Sequence, residues 1–492
     1  MYIFHSLNPF LPFSCSLHPP LSLSPPFSFP PCPPSPLFTL LQVNFVVCQL
    51  FALLTAFWFR LYLHPSKTSP FVRHVVATLL GFYFALFCFV CECVLNEANV
   101  HLMYCLVVAL GYLSFCQITR VYVFDYGMYS ADFTGPMMVI TQKITSLAFE
   151  IHDGKKRMPS LLEYFSYNCN FMGILAGPTS SYNDYIAFIE GTPCRHNKDH
   201  QTNGKTNGRH KQTDPSPNVS TVVRKLATCF FSLMVFLSVC KVFPVERNID
   251  DDFIANTPFY AQVVYLYLSM LTTRPKYYFV WTLADAINNA AGFGFNGYNG
   301  DGSPRWDLIS NLRIMDIEFA TSFKMFLDNW NIQTAHWLKR VCYERCPYNP
   351  TAATFILSAM WHGAYPGYYL TFLTGIVVTL AARAMRHNVR PYFLGSPSHK
   401  LLYDGITWAG TQIAICYTVV PFWPETMFAS QMASHFIYFL HFISPLFNQV
   451  GKLRTSSHLQ LRPGQDKAKQ FDNIQKHRVT HGVKTNIQSI IK

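Results

Sequence analysis

Charge is scarce in this sequence. Only 13% of its 492 residues are Asp, Glu, Lys or Arg, where a typical soluble domain carries about a quarter. None of the four occurs before Arg60. The shortage excludes a string of soluble domains, and 50% hydrophobic and 16% aromatic content points instead to a polytopic membrane protein. Paired CxxC spacing is also missing. Cys91/Cys93 and Cys342/Cys346 do not fit zinc, and Cys48, Cys88, Cys105, Cys116, Cys229 and Cys240 lie in apolar runs, so the cysteines read as small hydrophobes and no metal site is expected. Neither a compact basic domain nor a reader motif is present, which disfavours nucleic acid despite a net charge of +12.

Residues 1–41 form a Phe/Ser/Pro/Leu low-complexity stretch without a basic n-region, and Pro19-Pro20, Pro25-Pro26 and Pro30-Pro31 cut its apolar core. It reads as a disordered leader and not as a secretory signal. Apolar runs of membrane length follow at about 43–63, 75–91, 100–118, 226–243, 259–283, 353–380, 401–422 and 427–448. Less regular segments near 133–150 and 161–189 carry Pro136, Gly173 and Pro178, as expected of tilted, broken or re-entrant helices shielded by protein. The expected fold is all-α: a transmembrane bundle of about 8–11 helices, some broken or re-entrant, around a central chamber. It spans 42–450, includes a flexible polar linker at 190–225, and is followed by a basic tail at 451–492.

Loop charges give an orientation. Arg60, Lys67 and Arg73 lie in a first loop without acids, and the linker and tail are rich in Lys and Arg, so all three read as cytosolic. Glu92, Glu97 and the acidic run from Glu246 to Asp252 suit the lumen. Arg383, Arg386, Arg390 and Lys400 break the alternation. Either the run at 353–380 breaks at Gly363–Gly367, or a further crossing lies upstream.

Gly292-Phe-Gly-Phe-Asn-Gly297 satisfies GxGxxG, but without a βαβ unit it reads as an aromatic-glycine loop. Between 305 and 350, Arg305, Arg313, Lys324, Lys339, Arg340 and Arg345 interleave with aromatics at near-helical spacing. An amphipathic interfacial helix is one reading; a cytosolic platform for the phosphates of an anionic substrate is another, and the two are compatible. Most informative is His362, an ionisable group inside the apolar run 355–372. Such a residue faces a protein interior or a water-filled cavity. A histidine that takes a proton, with Asn331 to hydrogen-bond a reacting oxygen, would suit acyl transfer.

Two strings carry a resemblance: Trp330-Asn-Ile-Gln-Thr-Ala-His-Trp-Leu-Lys339 and Ser358-Ala-Met-Trp-His-Gly-Ala-Tyr-Pro-Gly-Tyr-Tyr-Leu-Thr-Phe372. Together with Phe124–Phe133, Met158–Tyr164, Arg274–Tyr278 and Trp306–Arg313, they resemble the membrane-bound O-acyltransferase family, in particular its lysophospholipid acyltransferase branch. The resemblance runs from about Gln42 to Pro421 and is most specific over 274–390. It implies an enzyme of the endoplasmic reticulum membrane that moves a fatty acyl group from acyl-CoA to lysophosphatidylcholine, lysophosphatidylethanolamine or lysophosphatidylserine, with no permanently bound cofactor. It places the family's histidine at His362 and its asparagine at Asn331; Lys339, Arg340 and Arg345 are candidates for the acyl-CoA phosphates. The alternatives are acyl transfer to another alcohol (a sterol, a diglyceride or a protein serine), or a non-enzymatic lipid transporter or scramblase.

Overall fold

The computed structural model describes residues 40–89, 102–119, 134–154, 158–192, 219–299 and 301–422. The leader to residue 39, most of the linker, the run at 427–448 and the tail lie outside them. The described residues are mostly helical, and their only β pairing is two isolated bridges, Tyr298 with Pro304 and Leu312 with Trp330. The protein is an all-α polytopic membrane protein, as its composition indicates.

Helix α1 (Leu40–Tyr62), α2 (Pro70–Phe89) and α3 (Leu102–Thr119) occupy the first three apolar runs. The irregular stretch that follows gives α4 (Thr134–His152), α5 (Leu161–Cys169) and α6 (Tyr182–Glu190). A capping box starts α5: Ser160 Oγ accepts from Glu163 N, and the Glu163 carboxylate accepts from Ser160 N at 2.7 Å. Residues 170–181 are irregular and largely buried. This is the broken segment expected around Gly173 and Pro178, and it is covered by protein.

α7 (Val219–Val239) begins before the run at 226–243, so Arg224 and Lys225, counted with the linker, lie in its first turns. After the short α8 (Asp251–Asn256), α9 (Phe259–Ala291) runs for 33 residues, roughly 50 Å, well beyond a bilayer core of about 30 Å. It ends at Gly292, whose φ of 96° only glycine adopts cheaply. α9 is the spine of the molecule and packs against both α7 and α1. Its second half is almost wholly buried, including Arg274, Lys276, Asp285, Asn288 and Asn289.

The basic region 305–350 is not one amphipathic helix. It folds as a loop followed by α10 (Ile314–Glu318), α11 (Phe323–Asn329) and α12 (Ile332–Leu338), with a π-helical turn at Lys339–Tyr343. Buried polar groups explain the break. Glu318 pairs with Arg274 of α9 at 2.7 Å and accepts from Tyr278 OH, so the chain must bend to meet α9. The run at 353–380 divides into α13 (Pro350–His362) and α14 (Pro366–Asn388), each with proline in its first turn. At roughly 20 Å, α13 is too short to cross a bilayer, whereas α14 is long enough. The break at Gly363–Tyr365 is one of the two explanations open for the loop charges. α15 (Pro397–Val419) completes the described chain.

Candidate active site

Asn331 is held by its neighbours on both sides. The preceding Trp330 is wedged among Tyr277, Tyr278 and Trp281 of α9 and Phe326 of α11, with ring centroids 5.4–6.2 Å apart. The bridge between Leu312 and Trp330 and the Arg313 N–H to Asn329 carbonyl bond (3.2 Å) align 311–313 beside 329–331. Asn331 has φ 49° and ψ 53°, the left-handed region, where asparagine is among the few tolerated side chains. It occupies the N-cap position of α12, yet its side chain makes no capping bond. Instead Asn331 Oδ1 accepts from Asn311 Nδ2 at 3.1 Å.

The segment carrying Asn311 is fixed from α7 and α9. Asp285 pairs with Lys225 at 2.7 Å, accepts from Asn289 at 2.7 Å and accepts from Ser310 Oγ at 2.8 Å. Lys225 also donates to the Trp306 carbonyl at 3.0 Å. A buried carboxylate is tolerable only with such a full set of partners.

His362 is the last residue of α13. Its ring stacks on Phe372 (5.1 Å, 25°) and lies against Trp361 and Tyr368. The helix ends there because Gly363 takes φ 142°. A β-carbon at 363 would lie 3.1 Å from Tyr368 Cε2. α4 secures this end: the Trp361 indole N–H donates to the Met138 carbonyl at 3.1 Å, and Gln117 of α3 donates to the Trp361 carbonyl at 3.2 Å.

A cavity of ≈ 20 Å³, room for a water molecule, connects the two elements. Its lining includes Asn331, Asn311, Gln333, Thr334 and Gln142 on the polar side, and Trp281 and Trp361 on the apolar side. Gln142 donates to Thr334 Oγ1 at 3.0 Å across it. His362 does not itself line the cavity; Trp361, the residue before it, does. The lining contains no serine, cysteine or charged residue. A neutral donor set suits polarising a carbonyl, and the imidazole of His362, one residue along from the lining Trp361, can accept a proton from an alcohol.

The three basic candidates separate. Arg340 pairs at 2.5 Å with Glu150 of α4, which is 0% exposed. Arg345 grips Asp153 with two bonds of 2.8 Å and lies 4.6 Å over the Phe149 ring. Lys339 is well exposed and lies 3.5 Å from Glu344. Among the described residues no group of three or more His, Cys, Asp or Glu is placed to hold a metal. Asn311, Gln142, Gln333 and Thr334 were not singled out by sequence reasoning. Asn311, Gln333 and Thr334 fall within strings that carry the resemblance, but nothing in a string shows which polar group meets which.

A model of the membrane-bound O-acyltransferase family matches residues 35–422. Over 412 residues the chain is 63% identical to membrane-bound glycerophospholipid O-acyltransferase 2 of Gallus gallus, covering 77% of this chain and 79% of that protein. It is 50% identical to membrane-bound glycerophospholipid O-acyltransferase 1 of Homo sapiens over 457 residues, 86% and 91% of the two chains. It is 40% identical to lysophospholipid acyltransferase 6 of Drosophila melanogaster over 434 residues, 82% and 60% of the two. With a helical membrane fold, a family model that matches most of its length and relatives this similar, the chain belongs to the membrane-bound O-acyltransferase family and is an acyltransferase.

Proposed function

We propose that the protein transfers a fatty acyl group from acyl-CoA to the free hydroxyl of a lysophospholipid. The observation that carries this reading is the uncharged polar cavity shared by Asn331 and the end of the helix bearing His362. The names of the relatives, glycerophospholipid O-acyltransferase and lysophospholipid acyltransferase, support the substrate class.

His362 takes the proton of the lysolipid hydroxyl as its oxygen attacks the thioester carbonyl. Asn331 donates to the oxyanion that develops, an interaction worth about 3 kcal/mol in comparable sites. The carbon–sulfur bond breaks and the CoA thiolate recovers the proton from His362. Acyl group and proton thus change places, with no acyl-enzyme and no cofactor beyond the acyl-CoA co-substrate. Exclusion of water from the site limits thioester hydrolysis. Lys339, with its exposed ammonium, is the best placed of the three basic residues to meet the CoA phosphates. The endoplasmic reticulum membrane is the proposed location.

The test is a matrix of purified protein with lysophosphatidylcholine, lysophosphatidylethanolamine and lysophosphatidylserine against several acyl-CoAs, run beside His362→Ala. Acyl-CoA-dependent diacyl product from the wild type and none from the variant is expected. Product formed by the variant at near-normal rate would make the histidine structural.

A further inference from the structure

The geometry points to Asn311 as a positioning residue that decides which end of the Asn331 amide is offered to the reacting carbonyl. This rests on the proposed role of Asn331 and extends it to a residue that touches no substrate.

The orientation follows from one group whose role is fixed. The Gln333 backbone N–H can only donate, and it donates to Asn311 Oδ1 at 3.0 Å. The oxygen of Asn311 is therefore committed, and its other end must be the NH₂. That NH₂ faces Asn331 at 3.1 Å, so Asn331 must meet it with Oδ1. What Asn331 has left is its NH₂, the donor that an oxyanion requires. Reversing either amide would set two donors or two acceptors against each other, at a cost of the order of a lost buried hydrogen bond, about 1–3 kcal/mol.

Two further observations indicate that Asn311 is placed for this. It is 3% exposed, and its backbone carbonyl accepts from Ile332 N at 3.0 Å, so backbone and side chain both grip the first turn of α12. On the other side Ser310 is tied to Asp285, and Gln333 Nε2 donates to the carbonyls of Leu308 and Ser310 at 3.1 and 3.2 Å. The loop 308–311 and the start of α12 thus form one hydrogen-bonded unit in which the Asn331 amide has a single favoured orientation.

Asn311→Asp isolates this role. A carboxylate still accepts from Gln333 N–H, so the backbone contact survives, but it has no donor for Asn331 Oδ1. The Asn331 amide then turns its NH₂ toward the carboxylate and offers its oxygen to the substrate. Steady-state kinetics on purified Asn311→Asp should show kcat lowered by about 10²-fold, the scale of one lost oxyanion donor, with KM for acyl-CoA within about threefold of wild type. Asn331→Gly and the double variant complete the cycle. Because Asn311 acts through Asn331, Asn311→Asp should lower kcat less than about threefold further in the Asn331→Gly background. Wild-type kcat in Asn311→Asp, or a full additional loss in the double variant, overturns the positioning role alone. Wild-type kcat in Asn331→Gly overturns the role of Asn331 itself. If the buried carboxylate prevents accumulation in membranes, Asn311→Ser takes its place: its hydroxyl ends one bond short of the amide nitrogen, so it removes the donor to Asn331 Oδ1 without burying a charge. It should show the same kcat loss and the same non-additivity, and wild-type kcat in that variant overturns the inference equally.

Discussion

Trp337 and Trp361 meet with ring centroids 5.7 Å apart, and each indole N–H donates into α4, to Thr145 Oγ1 at 2.9 Å and to the Met138 carbonyl at 3.1 Å. Trp337 belongs to the helix that Asn331 begins, and Trp361 directly precedes His362. The two proposed reacting elements therefore share one support, and disturbing α4 should disturb both.

Asn331 can be separated from its backbone role because glycine also accepts a left-handed conformation. Asn331→Gly should lower kcat by about 10²-fold or more while leaving KM for acyl-CoA and the amount of folded protein close to wild type. Asn331→Ala adds a backbone penalty of about 1–2 kcal/mol, visible as a lower melting temperature with the same loss of kcat. Asn331→Asp keeps the backbone but repels an oxyanion and should be at least as inactive. An active aspartate variant would remove Asn331 from the mechanism.

Gly363→Ala should impair both folding and turnover. Its φ of 142° is costly for an L-residue, about 1–3 kcal/mol, and the new methyl presses on Tyr368, which packs against His362. Turnover per folded molecule, normalised by a thermal melt in detergent, is the measurement. Full specific activity would show that the His362 ring does not depend on this turn.

Arg340 and Lys339 should fail differently. Arg340→Met leaves Glu150 buried without its guanidinium, a change worth about 3–5 kcal/mol, so the expected result is lost stability, partly restored in Glu150→Gln/Arg340→Met. Lys339→Ala should leave the melt unchanged and raise KM for acyl-CoA severalfold. A stable Arg340→Met with raised KM would instead assign the phosphate contact to Arg340.

Acid should weaken the region around α12. Partial desolvation, with Lys339 and Arg313 adding repulsion, holds the imidazole of the partly exposed His336 below its ordinary value of 6.5. In the window below 6.5 the unfolded chain therefore binds more protons than the folded one, so stability rises with pH there and is lost as pH falls. Melting temperatures from pH 7.5 to 5.5 should show this decline, and His336→Gln should flatten it. An unchanged slope in the variant would place the sensitivity elsewhere.

Membrane helices and their breaks were legible because they rest on composition. Apolar runs forecast α1, α2, α3, α7, α9, α14 and α15, and the division between α13 and α14 was one of two readings left open by the loop charges. His362 was legible as a lone ionisable group in an apolar run, and Asn331 through the string around it. The region 305–350 was misleading as a single amphipathic helix, because its periodicity competes with partners far away in sequence. Glu318 is called to Arg274, and Arg340 to Glu150. Asn311 was invisible for the same reason, since its importance lies in a backbone N–H that every residue but proline possesses.

Arg73 and Lys225 entered the topology as basic residues of cytosolic loops. In the folded protein neither is a loop charge: Arg73 donates to the Phe188 and Ile189 carbonyls at the end of α6, between the rings of Phe59 and Phe188, and Lys225 is paired with Asp285. Orientation is set during synthesis, before helices associate, so on the cytosolic reading of these segments the same cations would serve at two successive times. On that reading they would be addresses while the chain is being inserted, and they are fasteners once it has packed. Replacing either with a neutral residue would therefore confound a biogenesis defect with a folding defect. Moving the charge into the segment just before its helix would keep the address and lose only the fastener.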